Sequence, residues 1–312
     1  MAWNLGLLGA SSAAAGFVGV AGYVAGGEET ENGSRTTTVD RFAFPDDTRS
    51  SLATGLSTAR AESAGFFDTS VAGYVAGGTD GSSEEATVDK FAFSNDSRTT
   101  LATGLSAARR TLSAFSNPSV AGYAAGGQAP SRVSTVDKFT FPGDSRSTLA
   151  ATLSAARFAS AGFSNPSVAG YVAGGQEASR VSTVDKFAFP GDFRSTLGTG
   201  LSSTRRQLMA FANPSVAGYV AGGDTGSVVD TVDKFAFPSD SRSTLGTGLS
   251  TVRRLGTGFA NPSIAGYVAG GGDDSTAVLS IVDKFAFPGD SRSSLAVGLS
   301  APRRLVAGFE NA

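Results

Sequence analysis

Arginine recurs six times in the motif L-S-x-x-R, and it is the residue type in this chain best suited to binding an anion. A guanidinium group offers a rigid fork of N–H donors that pairs with carboxylate, sulfate or phosphate through two bonds at once. The six positions are Arg60, Arg109, Arg157, Arg205, Arg253 and Arg303. Under one hypothesis these arginines surround an opening and bind an acidic ligand. Under the other they bond to further repeated residues and brace the fold.

An aspartate in the motif V-D-[KR]-F is equally regular, and it is a natural partner for these arginines. Residues identical in every repeat are expected to serve packing, whereas residues that differ are free to serve a partner. This reasoning favours a bonded arginine–aspartate network over a ligand site. The six aspartates are Asp40, Asp89, Asp137, Asp185, Asp233 and Asp283.

Other acidic residues differ from repeat to repeat and are the second set of candidate binding residues. They lie between a double glycine and the next V-D motif, in a segment of 11, 9, 8, 8, 8 and 10 residues. Carboxylates suit Ca²⁺, but the D-x-[DN]-x-[DN]-G spacing of a calcium loop is absent, so we predict no metal site. The candidates are Glu28, Glu29, Glu31, Asp80, Asp273 and Asp274.

The chain has no histidine and no cysteine, which removes several kinds of chemistry. Histidine bases, thiolate nucleophiles, disulfides and Cys/His zinc sites are excluded. A catalytic constellation also needs asymmetry, and the repeats are nearly identical. We therefore expect no enzymatic activity and no cofactor. A propeller glycosidase or lyase is retained as the second alternative, because paired carboxylates are not excluded by sequence.

Charge gives no indication of a nucleic-acid or membrane partner. Only 17% of the residues are charged and the net charge is −2, so no electrostatic attraction to a polyanion is predicted. Residues 5–27 are uncharged, but their final A-G-Y-V-A-G-G recurs downstream as an ordinary repeat. We interpret this stretch as part of the first repeat and expect no membrane insertion.

The elements that position these residues are short strands. All six tyrosines occupy one position, A-G-Y, with spacings of 51, 49, 48, 48 and 48 residues. In V-D-K-F-A-F, the two phenylalanines alternate with other residues, as in a strand with one buried face. Four such units per repeat predict an all-β fold, a six-bladed β-propeller of four-stranded antiparallel blades. A right-handed parallel solenoid is the alternative. The repeats start near 18, 67, 116, 164, 212 and 260.

The repeat resembles the kelch family over residues 18–312. The resemblance is carried by the double glycine Gly174-Gly175, the aromatic third strand with Phe187 and Phe189, and Arg205 at the start of the next blade. It implies that arginines near this position contact acidic ligands. The family's fourth-strand tryptophan is missing, and leucines stand near its place. The V-D-K-F-x-F cadence is also similar, more loosely, to propeller repeats of bacteriophage tail and fibre proteins.

The two ends of the chain carry overlapping copies of the same two strands. Residues 3–17 align with residues 101–115, so seven copies of the fourth and first strands serve six blades. We predict that the C-terminal strand closes the ring against residues 23–25. Residues 1–17 would then form a displaced segment that serves docking or self-association. The alternative is that the N-terminal copy closes the ring and the C-terminus frays.

In an up-and-down meander, the variable second-to-third loops lie on the same face as the loops that carry the L-S-x-x-R arginines. We predict that this face binds a partner, although exposed loops also vary for no functional reason. The leading hypothesis is a non-enzymatic binding or structural module, such as a phage tail or fibre component that contacts a host surface or another virion protein. The first alternative is a cellular kelch-like adaptor or carbohydrate-binding propeller. The expected partner is a protein or a surface glycan, and the location is a virion or extracellular if viral and cytoplasmic otherwise.

Overall fold

The computed structural model describes residues 20–29, 33–274 and 277–311. These residues form six four-stranded antiparallel sheets arranged in a ring, with the first strand of each sheet next to the first strand of its neighbours. The predicted six-bladed all-β propeller is therefore confirmed. Residues 1–17, predicted to be displaced, and the candidate Glu31 lie outside the described residues.

Each blade runs from an inner strand beside the central axis to an outer, exposed fourth strand. The third blade also contains a short two-stranded antiparallel ladder in its second-to-third loop. Blade 1 holds β1 (Ala21–Ala25), β2 (Val39–Ala43) and β3 (Thr48–Ser51), and blade 2 holds β4 (Ala64–Asp68), β5 (Ala72–Ala76), β6 (Val88–Ala92) and β7 (Ser97–Thr100). Blade 3 holds β8 (Ser113–Asn117), β9 (Ala121–Ala125), the ladder strands β10 (Gln128–Ala129) and β11 (Ser131–Arg132), β12 (Val136–Thr140) and β13 (Ser145–Thr148), and blade 4 holds β14 (Ala161–Asn165), β15 (Ala169–Ala173), β16 (Val184–Ala188) and β17 (Phe193–Thr196). Blade 5 holds β18 (Met209–Asn213), β19 (Ala217–Ala221), β20 (Val232–Ala236) and β21 (Ser241–Thr244), and blade 6 holds β22 (Thr257–Asn261), β23 (Ala265–Ala269), β24 (Val282–Ala286) and β25 (Ser291–Ser294), after which β26 (Ala307–Asn311) returns to blade 1.

The blades are offset from the sequence repeats. A blade begins with the strand that contains the G-F motif, so blade 2 starts at Ala64, within the unit that ends near residue 66. The preceding L-S-x-x-R segment is the connection that crosses from the fourth strand of one blade to the first strand of the next. This offset means that each L-S-x-x-R arginine lies at a junction between two blades.

Aromatic rings fill the space between neighbouring blades. Phe66 of blade 2 stacks on Tyr74 of its own blade at a centroid distance of 4.9 Å and on Phe139 of blade 3 at 5.5 Å. The glycine of A-G-Y makes room for this ring, because a Cβ at Gly122 would lie 1.9 Å from Phe66 Cδ2. The same arrangement recurs at Gly170 against Phe115. The A-G-Y motif is thus explained by packing across the junction.

The C-terminal strand closes the ring, as predicted. β26 pairs antiparallel with β1, with Tyr23 opposite Phe309 and Ala21 opposite Asn311. Phe309 stacks on Tyr23 at 4.9 Å, the geometry that Phe66 and Tyr74 have in blade 2. Blade 1 therefore joins strands from both ends of the described chain, and no exposed edge is left beside β1.

Candidate functional site

The two faces of the disc differ in their connections. We call the face with the second-to-third loops and the blade-to-blade connections the loop face, and the face with the short first-to-second and third-to-fourth turns the turn face. On the loop face the two kinds of connection bond to each other: Arg110 bridges to Gln128 and Arg206 to Asp224. The prediction that the variable loops share a face with the L-S-x-x-R segments is confirmed.

The six L-S-x-x-R arginines are buried at the blade junctions, each with no more than 1% of its surface exposed. Arg109 bonds to Asp137 at 2.9 Å and to the carbonyl oxygen of Ala124 at 3.1 Å. The same carboxylate accepts the main-chain N–H and the hydroxyl of Ser106. These contacts match the network hypothesis: each arginine ties the incoming connection to the second and third strands of the blade it enters. The described structure presents none of the six guanidinium groups to solvent.

Burial affects the pKa values of both members of the Arg109–Asp137 pair. Burial lowers the pKa of Arg109, and the neighbouring Asp137 only partly offsets that effect. Burial also raises the pKa of Asp137, but the charge of Arg109 and bonds from Ser106 and Thr148 outweigh it, so the net pKa is lowered. Since arginine starts from a very high value, the pair stays ionised at neutral pH. Removal of either partner would leave a buried charge without compensation.

The acidic candidates are distributed around the loop face and serve local bonds. Glu28 is buried and pairs with Arg35 at 3.1 Å and Arg304 at 3.3 Å. Asp80 accepts the main-chain N–H groups of Ser82 and Ser83. Glu29 closes a turn through its own main chain, and its N–H donates to the carbonyl of residue 34.

The remaining two acidic candidates lie in the longest loop of blade 6. Asp273 accepts the N–H of Ala277, and Asp274 reaches the neighbouring loop and accepts the N–H of Val228. Among the residues that the structure describes, no three acidic side chains come close enough together to hold a metal ion. The acidic candidates therefore do not form one site.

A charged cluster that the sequence analysis missed lies on the loop face between blades 4, 5 and 6. Three arginines from separate connections approach the carboxylate of Asp224: Arg206 at 2.9 Å, Arg180 at 3.0 Å and Arg254 at 3.5 Å. Each arginine side chain keeps about 29–31% of its surface exposed, whereas Asp224 is buried. We call these four residues the Asp224 cluster.

The Asp224 cluster has an excess of positive charge. Three guanidinium groups share one carboxylate, which leaves a local charge of about +2 by simple counting. Burial raises the pKa of Asp224, but bonds from Arg206, Gly226 and Arg180 outweigh it and the net pKa is lowered, so this carboxylate is ionised. Half-exposed arginines with unused N–H directions are the groups that recognise carboxylate, sulfate and phosphate in two-point contacts. The cluster can therefore accept an anion from solvent.

A sequence signal for this cluster exists in the arginine doublets. The residue after the buried arginine is again arginine at positions 110, 206, 254 and 304, but it is Ala61 and Phe158 in the other two repeats. By the principle that unlike positions are free to serve a partner, this position was a better candidate than the invariant arginine before it. The sequence did not show that Arg206 and Arg180 both bond to Asp224, because the three residues come from separate loops.

A central channel with a volume of about 170 Å³ runs along the axis of the ring, and its walls are made by the first strands. Its loop-face end is encircled by six main-chain hydrogen bonds of 2.5–3.0 Å, in which each N–H donates to the equivalent carbonyl of the preceding blade. The residues of this ring are Glu62, Thr111, Ala159, Gln207, Leu255 and Leu305. All six have positive φ angles. The channel is thus narrowed by main-chain atoms at this end.

Comparison with known proteins leaves the chain without an assigned family. No family model matches it, and no curated protein matches it either. Within the described ranges there is no helix with the length and apolar character needed to cross a membrane. The six-bladed propeller is established by the sheets themselves, while the kelch-like and phage-like resemblances rest on the repeat motifs alone.

Proposed function

We propose that this propeller is a non-enzymatic binding module that recognises an acidic group on a protein or a surface glycan through its loop face. The observation that carries the proposal is the Asp224 cluster, where three half-exposed arginines surround a single carboxylate. Such an excess of guanidinium groups attracts carboxylate, sulfate or phosphate and fixes its orientation.

The position of the cluster supports a binding role rather than a purely structural one. The buried arginine of each junction already ties the blades together, as Arg205 does with Asp233 in blade 5. Arg206, its neighbour in the chain, points instead to the loop face, where blades 4, 5 and 6 meet. Because two of the six junctions lack this second arginine, the fold itself does not require it.

The placement of carboxylates in the channel supports a non-enzymatic role. Glu62 and Glu310 both line the cavity. Glu310 is equivalent to residue 67 of blade 2, which lies five residues beyond Glu62. Because a strand advances by roughly 3.3 Å per residue, Glu62 and Glu310 are separated by about 16 Å along the channel. Glycosidases place their two carboxylates about 5–10 Å apart. Glu62 is in addition engaged by Arg110.

The setting that we propose is a virion tail or fibre protein that contacts acidic glycans or proteins on a host surface. It is supported by the V-D-K-F-x-F cadence, which resembles propeller repeats of bacteriophage tail and fibre proteins. A cellular kelch-like adaptor or carbohydrate-binding propeller is the second candidate, supported by the double-glycine and aromatic-strand motifs. Both settings use the same anion-binding surface.

The test is binding to a glycan array that pairs sialylated or sulfated glycans with matched neutral glycans. We expect retention of the acidic members, weakened by salt because the contact is ionic. Arg180→Ala combined with Arg254→Ala should weaken binding by at least about tenfold, since each charge-assisted bond contributes roughly 1.5–3 kcal/mol. These two residues are chosen because Arg206 then still pairs with Asp224.

The matched control is Arg132→Ala, which removes an exposed arginine of the same face outside the cluster. Arg132 donates only to the carbonyl of Glu177 among the contacts of the described residues. Its loss should leave glycan binding unchanged. Equal retention of neutral and acidic glycans, or equal effects of the control and the double variant, would overturn the proposal. Circular dichroism and thermal unfolding confirm that each variant is folded.

A further inference from the structure

At the turn-face end of the first strands, two acidic residues have no counterpart in the other blades. Glu310 on β26 is the first; the equivalent residues are Phe67, Ser116, Ser164, Ala212 and Ala260. Asp68, on the adjacent first strand β4, is the second, and the other five blades have asparagine there. Both acids therefore lie at one place in a ring that is otherwise nearly symmetric.

The Glu310 carboxylate faces the cavity and has no basic partner. It accepts the main-chain N–H of Ala260 at 2.7 Å. The first and second strands packed against β26 are β1, β4, β5 and β22, and their ionisable residues are Tyr23, Tyr74 and Asp68. Both tyrosine hydroxyls donate to aspartates of the next blade, and Asp68 accepts the N–H of Ser119. No side chain on these strands supplies a positive charge.

The rest of the lining at this level is apolar with two hydroxyl groups. Phe67 and the hydroxyl-bearing Ser116 and Ser164 line the same cavity as Glu310. The Ser116 hydroxyl accepts the N–H of Phe67 at 2.9 Å and can still act as a donor or accept a second bond. One carboxylate beside two hydroxyls and an aromatic ring suits a group that is cationic, compact and a hydrogen-bond donor.

A set of exposed aliphatic side chains, which we call the aliphatic rim, lies on the turn face. Each second strand is preceded there by one such side chain that is 38–53% exposed. These residues are Val20, Val71, Val120, Val168, Val216 and Ile264. The loop-face end is narrowed by its main-chain ring, so a ligand that reaches Glu310 enters from the turn face and passes this aliphatic rim.

We infer that the turn-face end of the channel binds an organic ammonium group carried on an apolar stem, such as an alkylamine or a lysine side chain, with the Glu310 carboxylate as its counter-ion. The ammonium group supplies the missing charge and three N–H donors for Glu310, Ser116 and Ser164. The stem contacts Phe67 and the aliphatic rim. This site lies on the face opposite the Asp224 cluster and goes beyond the anion-binding function proposed above.

A metal ion fits the same residues less well. Ca²⁺ takes six to eight oxygen ligands and Mg²⁺ six, with carboxylates in the first shell. This level of the channel offers one carboxylate and two hydroxyls. An ammonium group is satisfied by that number of acceptors, and its stem makes use of the apolar rim, which a bare ion does not.

A change in the protonation of Glu310 should accompany binding at this site and can be measured. Burial raises the pKa of Glu310 to about 8, partly offset by the bond from the Ala260 N–H. At neutral pH the empty site therefore holds a protonated carboxyl group, and a bound ammonium ion would drive it to ionise. Binding should release close to one proton at about pH 7 and almost none at about pH 9.

The experiment is titration calorimetry of the full chain with butylamine, with butanol as the neutral isostere and methylguanidine as a second cation. We expect butylamine to bind at least about tenfold more tightly than butanol, because charge-assisted bonds exceed neutral ones. Titrations in two buffers of different ionisation enthalpy measure the released proton. Equal affinity for butanol would overturn the inference, and tighter binding of methylguanidine would overturn the assignment to an ammonium group.

Glu310→Gln is the decisive variant, because its amide oxygen keeps the bond from Ala260 while the charge is removed. Butylamine binding should fall to the level of butanol. Glu62→Gln removes a carboxylate at the opposite end of the channel and should leave binding unchanged. Glu310→Gln combined with Ala212→Glu moves the carboxylate to an equivalent position and should restore binding. Unchanged affinity in Glu310→Gln would overturn the inference, as would failure of the transplanted carboxylate in a folded protein.

Discussion

Arg303 donates to the carboxylate of Asp40, which lies 263 residues earlier in the chain, and both side chains are fully buried. Arg109 makes the same contact with Asp137, only 28 residues away. The junction at which the two ends of the propeller meet therefore has the chemistry of the other junctions. In addition, Ser300 donates to Asp40 as Ser106 does to Asp137. The ring is closed by a copy of an internal junction rather than by a special device.

Asp40→Asn should destabilise the protein strongly, since it leaves the buried charge of Arg303 without a counter-ion. The expected loss is about 3–5 kcal/mol in the free energy of unfolding, as for other broken buried ion pairs. Urea unfolding followed by circular dichroism measures it. Asp46→Asn, at an exposed position of the same blade, should change stability by less than about 0.5 kcal/mol. Equal midpoints for the two variants would contradict a structural role for the pair.

Gly122→Ala should destabilise the junction between blades 2 and 3. The added Cβ would lie 1.9 Å from the Phe66 ring, which is itself held in the aromatic stack. Overpacking of this kind costs about 1–3 kcal/mol in the free energy of unfolding. Gly143→Ala is the matched control, because a Cβ there has no atom within 4 Å. A similar unfolding midpoint for both variants would show that the A-G-Y glycine is not selected by packing.

Alkaline pH should unfold the protein as the tyrosines ionise. Burial raises the pKa of Tyr123 above its usual 10.0, and the bond to Asp192 raises it further. A raised pKa means that the folded state keeps a proton that the unfolded state loses, so stability is full below about pH 10 and falls as pH rises above it. Tyrosinate absorbance and circular dichroism should change together. Tyrosine ionisation near pH 10 in a protein that stays folded would contradict this expectation.

Glu310→Gln should stabilise the protein at alkaline pH. The raised pKa of Glu310, about 8, implies that ionisation of the folded state is unfavourable relative to the unfolded chain, with its ordinary value of 4.5. Between these two values the unfolded state binds fewer protons, so this group lowers stability as pH rises. The variant should exceed the parent in urea midpoint at about pH 8, with a difference that shrinks towards about pH 5. A pH-independent difference would indicate a packing effect instead.

The strands and their number could be predicted because their signals are local. The alternation in V-D-K-F-A-F and the glycines that bound A-G-Y-V-A set strand positions within a few residues, and the six copies set the number of blades. The overlap of the termini limited ring closure to the N-terminal or the C-terminal copy, of which we predicted the C-terminal one, β26. In a repeat fold each unit contacts its neighbours in the same way, so one correct interpretation of a repeat applies to all six.

The candidate site was predicted less well, because side chains from separate connections meet there. Arg206 precedes the first strand of blade 5 and Asp224 follows the second strand, so the two are separated in the chain but meet on the loop face. Arg180 comes from the preceding blade. The repeat rule assigned arginine to the framework and so passed over the variable second arginine of each doublet. Glu310 was missed for the related reason that an alternating residue on a first strand faces the channel only when the ring is closed.

The amino-acid sequence by itself determined the positions of the strands and the number of blades, since these follow from periodicity and from counting copies. It reduced ring closure to a choice between two terminal strands, and the structure decided that choice. Only the tertiary structure decided which charged residues are buried as braces and which meet at a surface. That distinction depends on contacts between residues that are distant in the chain, and the closed ring creates those contacts by placing every connection against the next blade.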